Sequence, residues 1–195
     1  MKMDCSVIIL AAGRSGRMGK PKFALQYNDE MIFLEEVVSQ FLTFGCGEIV
    51  IVLNDEGYSG FQNLNIAFPE NVKIEINHHP EKGRFFSLQI GLSSLNSKRY
   101  VFVHNVDNPF VTQRDLGLLF NGISGYDFCV PVYEGRGGHP VLLSETVIDG
   151  ILSENDVNIT LRDIMKRYYG KRVEAESDKI LVNINTIEDY REFFE

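Results

Sequence analysis

The sequence predicts a three-layer α/β/α fold around a mostly parallel, Rossmann-like sheet. Three observations carry the prediction. Short β-branched apolar runs alternate with longer segments of helical periodicity from the amino terminus to about residue 128. That alternation implies right-handed crossovers and a sheet covered on both faces. A glycine-rich loop follows the first run, at the strand end where ligands of such sheets bind.

Residues 7–10, Val-Ile-Ile-Leu, form the first strand. Residues 33–44 follow with Phe33, Leu34, Val37, Val38, Phe41 and Leu42 at helical spacing, and Gly45 and Gly47 end that helix. Strands are expected at 49–53, 72–76, 100–104 and 128–133, with shorter helices at 85–95 and 115–120. From about Phe128 the pattern changes, beginning with the strand at 128–133. A glycine turn (Gly135, Gly137, Gly138) leads to a short strand at 141–143 and two helical segments, then an extended run at 179–184 and a helix at 188–194. With no repeat, low-complexity tract or linker, residues 1–195 read as a single domain.

Composition narrows the function. The chain is 44% hydrophobic with a net charge of −8, so no basic surplus serves nucleic acid or an anionic membrane. No apolar stretch approaches the roughly 18 residues of a membrane span, and no charged-then-apolar leader is visible, so a cytoplasmic protein is expected. Cys5, Cys46 and Cys129 are odd in number and lack C-x-x-C spacing. They fit neither a disulfide framework nor a thiolate metal site.

Against that acidic background the loop at 13–22 concentrates Arg14, Arg17, Lys20 and Lys22 among Gly13, Gly16 and Gly19. Glycines let the backbone approach a ligand with its N–H groups, and the cations supply charge for a polyphosphate. Two commoner phosphate loops are excluded by spacing. Met18 stands where a Walker A glycine belongs, and glycines three apart do not make G-x-G-x-x-G. The segment from Leu10 to Lys22 instead resembles the signature L-A-A-G-x-S-x-R-M-G-x-x-K of the MobA-like nucleotidyltransferases. That group includes molybdenum-cofactor cytidylyl- and guanylyltransferases, and relatives act on sugar phosphates and methylerythritol phosphate.

The resemblance implies the nucleotide-diphospho-sugar transferase type of fold. It also implies Mg2+-dependent transfer of a nucleoside monophosphate to a phosphorylated small-molecule acceptor, with release of pyrophosphate. Leu10, Ala11, Ala12, Gly13, Ser15, Gly16, Arg17, Met18, Gly19 and Lys22 would then hold the nucleoside triphosphate, Arg17 facing the leaving pyrophosphate and Lys22 the α-phosphate. Asp107, just past the strand at 100–104, resembles the family's Asp-x-Pro metal ligand, although a solvated turn aspartate fits the same Asn-Pro context. Asn183 and Asn185, in Asn-Ile-Asn-Thr-Ile-Glu-Asp, match the family's second metal segment in its neutral form, with Ile187 replacing a proline. Thr186 and Asp189 of that segment also read as a helix cap.

Asn77, Gly83 and Ser87 lie where relatives contact base and ribose, and the same stretch also reads as plain helix packing. Arg136, Gly138 and His139 resemble the acceptor-facing Arg-Gly-His-Pro segment of the cytidylyl branch, while His139 equally suits a turn cap. Ala12 and this segment favour CTP and molybdopterin; Asn183 and Asn185 point to the guanylyl branch, and sugar- or alditol-phosphate acceptors stay open. A partner enzyme would receive the product. A reading of another class, a nucleotide-binding regulator without turnover, is motivated by the uncharged residues at 183 and 185.

Overall fold

The structure, a computed structural model, describes residues 3–13, 18–156 and 158–195. Among these residues eight strands form one sheet: β1 (Ser6–Leu10), β2 (Glu48–Asn54), β3 (Val72–Asn77), β4 (Tyr100–Asn105), β5 (Phe128–Tyr133), β6 (Arg136–Gly137), β7 (Val141–Ser144) and β8 (Gly170–Glu174). Their order is β3-β2-β1-β4-β7-β5-β6, with β8 also paired to β5. β3, β2, β1 and β4 are parallel, β7 runs against both β4 and β5, and β8 runs with β5. The sheet is therefore mostly parallel, as expected, and its reversal lies where the sequence pattern changes.

Among the described residues seven helices cover it: α1 (Phe33–Phe44), α2 (Asp55–Gln62), α3 (Gly83–Ser93), α4 (Gln113–Gly122), α5 (Glu145–Leu152), α6 (Leu161–Met165) and α7 (Ile187–Phe194). Strand side chains alternate between the two faces. Val7 and Ile9 of β1 and Ile49, Ile51 and Leu53 of β2 enter the core beneath α1 and α4; Ile8, Leu10, Val50 and Val52 enter the core beneath α3 and α5. Each fully buried aliphatic side chain stabilises the fold by about 1.5–3 kcal/mol, so this two-sided burial fixes the register of the central strands.

The helix ends are set by local chemistry. Thr112, Thr160 and Thr186 each cap a helix, reciprocated by Asp115, Asp163 and Asp189. Gly45 closes α1 in the left-handed region, φ 96°.

Several elements depart from expectation. Helix α2 carries Asp-Glu-Gly-Tyr-Ser-Gly-Phe-Gln and buries only Gly57 and Phe61, so it has no apolar stripe to read. Strand β8, Gly-Lys-Arg-Val-Glu, is half-exposed and gains its strand character from β5. The run at 179–184 is not a strand. Asp178–Leu181 is a 3-10 turn, and the chain docks sideways, with His139 N donating to Ile180 O (2.9 Å) and Ile184 N to Asp107 O (2.8 Å). A further surprise is that Cys5 and Cys46, both buried thiols, meet with their sulfurs 3.4 Å apart. Pairing of the chain just before β1 and β2 brings them together, through Gly47 N donating to Cys5 O at 2.8 Å.

Candidate active site

Beyond the carboxyl ends of β1 and β4 the backbone is tied into a rim. Val106 N donates to Leu10 O (3.1 Å), Ala11 N donates to Val52 O (2.9 Å), and the Asn54 amide donates to Ala12 O (3.0 Å). Asn54 also accepts from Gly57 N at 2.6 Å, so one side chain caps α2 and braces the start of the glycine loop.

Lys22 opens a 3-10 turn, Lys22–Ala24, whose buried Phe23 anchors it against the core. Its ammonium donates to Asp107 Oδ2 at 3.0 Å and to Asn185 Oδ1 at 2.7 Å. Three segments separated by 85 and 163 residues in sequence thus meet at one cation. The Lys22 and Asp107 side chains are only 18% and 10% exposed, which strengthens their attraction relative to a surface pair. Asp107 Oδ1 is buried and has no hydrogen-bond partner among the described residues. A buried carboxylate oxygen without a partner is costly, so Oδ1 has the capacity to accept a further donor or cation. A hard divalent cation suits it, since Asp107 and the Asn185 amide offer oxygen donors. Among the described residues no cluster of three or more His, Cys, Asp or Glu side chains is placed for a metal, so Asp107 is the single carboxylate of the group.

The loop carrying Asp107 is itself locked. Asn108, 1% exposed, donates to the carbonyls of Lys179 and Ile180 (both 3.2 Å) and accepts from Phe110 N (3.2 Å). His104 Nε2 donates to Asn108 O at 2.7 Å. Burial, then the neighbouring His139, pushes the His104 imidazole down to about 3 against the pull of that carbonyl. The Asn105 amide donates to His139 Nε2 at 2.9 Å, and burial likewise lowers the His139 pKa, so both rings stand neutral.

A cleft of about 340 Å³ gathers Leu10, Ala11, Ala12, Gly13, Lys22, Gly83, Ser87, Asp107 and Asn185 from the sequence-derived set. Ser87 Oγ accepts from the Asn77 amide (2.9 Å), which leaves the hydroxyl proton free for a ligand. Asn77 itself is fully buried and acts behind Ser87. Gly138 and His139 line a second, adjoining cavity. Met18, Gly19, Asn183 and Arg136 line neither: the Asn183 amide donates to Leu181 O, and Arg136 lies exposed on β6. Ser15, Gly16 and Arg17, with Arg14, lie outside the described residues. Sequence reasoning missed Asn54, Arg84 and Asn108. Arg84 adjoins Gly83 in a segment already singled out, and Asn54 carried the signal of a polar residue ending an apolar strand ahead of Asp-Glu.

An open α/β sheet with a cationic cleft past the ends of its parallel strands defines a class of domain that handles phosphorylated ligands. This chain belongs to the MobA-like NTP transferase family, whose domain matches residues 7–173, and the nucleotidyltransferase class follows from that membership. It is 28% identical to the molybdenum cofactor cytidylyltransferase of Escherichia coli (strain K12) over 191 residues, 96% of this chain and 93% of that protein. It is 27% identical to a probable molybdenum cofactor guanylyltransferase of Bacillus mycoides (strain KBAB4), covering 95% and 94%. Among solved structures, Rv0371c from Mycobacterium tuberculosis H37Rv has the same fold, with TM-score 0.84 at 21% identity over 99% of this chain and 98% of that one. A complex of Rv0371C with manganese gives TM-score 0.79 at 19% identity, covering 97% of each chain. No helix of the described residues is long and apolar enough to cross a membrane.

Proposed function

We propose that this protein transfers CMP from CTP to the phosphate of a molybdopterin acceptor and releases pyrophosphate, with Mg2+ as the divalent cation. The observation that carries the reading is Lys22, held 3.0 Å from Asp107 Oδ2 and 2.7 Å from Asn185 Oδ1 over a cleft walled by the backbone of residues 10–13. Positive charge, a carboxylate and a close backbone converge there, and triphosphate chemistry needs all three.

An acceptor phosphate is ionised near neutral pH, because its second pKa is about 6. Its oxygen attacks the α-phosphorus, a new P–O bond forms, and the bond to the β-phosphate oxygen breaks as pyrophosphate leaves. No general base is required, and burial makes the nearby His104 and His139 imidazoles weak bases. Catalysis then consists of positioning and charge neutralisation. Lys22 holds the α-phosphate, the residue 11–13 backbone lies along the phosphate chain, and Ser87 donates to base or ribose from a hydroxyl oriented by Asn77. Asp107 and Asn185 would hold Mg2+, which supplies charge neutralisation to the phosphate oxygens when bound. His139 and Gly138 face the acceptor.

The choice of CTP rests on Ala12 at the cleft wall, and Asn185 is the feature that pulls toward GTP. Pyrophosphate release measured with CTP, GTP, UTP and ATP in turn, with molybdopterin as acceptor, tests it. The expected result is a kcat/KM for CTP at least about tenfold above the others; preference for GTP overturns the donor assignment.

A further inference from the structure

The spacing of the cysteines offers no pairing, but the fold supplies one. Cys5 stands just ahead of β1 and Cys46 two residues ahead of β2, at the end of the sheet remote from the cleft. The five residues of β1 alone put roughly 16 Å between the pair and the glycine loop. Two backbone bonds hold the segments in register around the pair: Met3 N donates to Gly45 O and Gly47 N to Cys5 O, both at 2.8 Å. The sulfurs lie 3.4 Å apart, on free thiols that are 5% and 4% exposed. Cys129, the third thiol, is buried on β5.

Two buried thiols in contact read as a packed pair of small apolar side chains or as a dithiol poised for oxidation. The turn that carries Cys46 favours the second. Gly45 and Gly47 flank it, and Gly45 already occupies the left-handed region at φ 96°. Glycine on both sides lets the turn shift by the amount the sulfurs need to close to a bonded separation of about 2.05 Å. Contact also decides the product. A sulfenic acid formed on either sulfur meets the other thiol at once, before a second oxygen can be added.

The surroundings decide the oxidant. The hydrogen bond with Cys5, then burial, pushes the Cys46 thiol above the ordinary thiol range, so the attacking thiolate is scarce and reaction near neutral pH is slow. Near-complete burial admits a small uncharged oxidant and turns away a bulky, charged one. Hydrogen peroxide fits, and glutathione disulfide does not.

We propose that Cys5 and Cys46 form a modification site for hydroperoxides, at which oxidation ties the amino end of β1 to the turn ahead of β2 through a reversible disulfide. One thiolate attacks a peroxide oxygen; an S–O bond forms, the O–O bond breaks, and the departing hydroxide takes up the thiol proton as water. The second sulfur then attacks the sulfenic sulfur, an S–S bond forms, the S–O bond breaks, and a second water leaves. Two thiols are oxidised by two electrons in all, and one peroxide is reduced to two waters. The bond closes a loop of 41 residues that contains β1, the glycine loop, Lys22 and α1. Cross-linking so long a loop restricts the unfolded chain and stabilises the fold.

The test treats the folded wild-type chain with hydrogen peroxide at about pH 8, where more thiolate is present. Thiols are then counted in urea and located by mass spectrometry of digests. The expected result is loss of two of the three thiols and one cross-linked peptide joining Cys5 to Cys46. The midpoint of thermal unfolding should rise by at least about 5 °C, and dithiothreitol should reverse both changes. Glutathione disulfide at the same concentration should react at least about tenfold more slowly. Cys129→Ala should keep the cross-link and the rise. Cys46→Ala should lose both and leave a Cys5 sulfenic acid that dimedone traps. Three thiols surviving a treatment that oxidises the urea-unfolded chain would overturn the proposal. So would a cross-link to Cys129, sulfinic acid as the main product at Cys5 or Cys46, an unchanged or lowered midpoint in the cross-linked protein, or equal rates with the two oxidants.

Discussion

The cleft at the parallel half of the sheet and the cavity over its reversed half adjoin along Arg84, yet they are built differently. In the cleft, most polar groups are paired within the protein, Lys22 with Asp107 and Asn185, Asn77 with Ser87 and Asn54 with the Ala12 carbonyl, and Asp107 Oδ1 is left over. The cavity has apolar walls and cations that lack acidic neighbours on its lining. A preorganised, internally paired site suits a ligand portion common to every turnover, since the groups are fixed before it arrives. Apolar walls with unpaired charge suit discrimination among acceptors, since affinity there depends on shape and on where the ligand carries its anions.

The difference makes predictions that rank by size. Removing the paired charges of the cleft should be most damaging. Lys22→Ala and Asp107→Ala are each expected to lower the rate of pyrophosphate release about 10²–10³-fold while unfolding stays cooperative. Turnover within about threefold of wild type in either variant would take that residue out of the mechanism.

Gly138→Ala attacks the other half. A Cβ there would lie 2.3 Å from Ile180 O, a backbone atom that cannot swing aside. The expected cost is about 1–3 kcal/mol in urea unfolding, with weaker acceptor binding and unchanged stabilisation by CTP. Equal loss of CTP binding would show that the two halves are not separable.

The neutral imidazole beneath both sites gives stability a pH slope. His104 sits at about 3 in the folded protein against 6.5 when unfolded. Between those values the unfolded chain binds the extra proton, so stability falls as pH drops from 6.5 toward 3. The loss should reach roughly 2 kcal/mol by about pH 5, above the range where most carboxylates titrate. Denaturant melts at stepped pH check this, and His104→Gln should flatten the slope.

Smallest is Asn54→Ala, which removes the cap of α2 and the amide on Ala12 O. It should cost about 1 kcal/mol and raise the KM for the nucleotide more than it lowers kcat. An unchanged KM would separate the cap from the site.

The same contrast explains what the sequence revealed. Residues 7–10 and 33–44 were legible because their apolar periodicity is the cause of their burial, and the family was legible because its signature is contiguous in sequence. Thr186 was readable for the same reason, a helix cap whose partner Asp189 is three residues away, whereas Asp107 meets Lys22 across 85 residues. By contrast, β8 owes its conformation to β5, and the segment at 179–184 is held by scattered bonds to His139, Asp107 and the Asn108 amide rather than by a ladder, so its alternation misled. Arg84 and Arg162 acquire meaning only when α3 and α6 close over one stretch of sheet, and the meeting of Cys5 with Cys46 follows from pairing between β1 and β2. No window of sequence contains those neighbours.

The most direct test of the central claim is a crystal structure with CTP and Mg2+ in the absence of acceptor, where no turnover can consume the nucleotide. The account predicts the phosphates against Lys22 and the residue 11–13 backbone, with Asp107 Oδ1 facing the cation. A triphosphate seated in the larger cavity, with the Lys22–Asp107–Asn185 contacts undisturbed and the cleft bare, would contradict it.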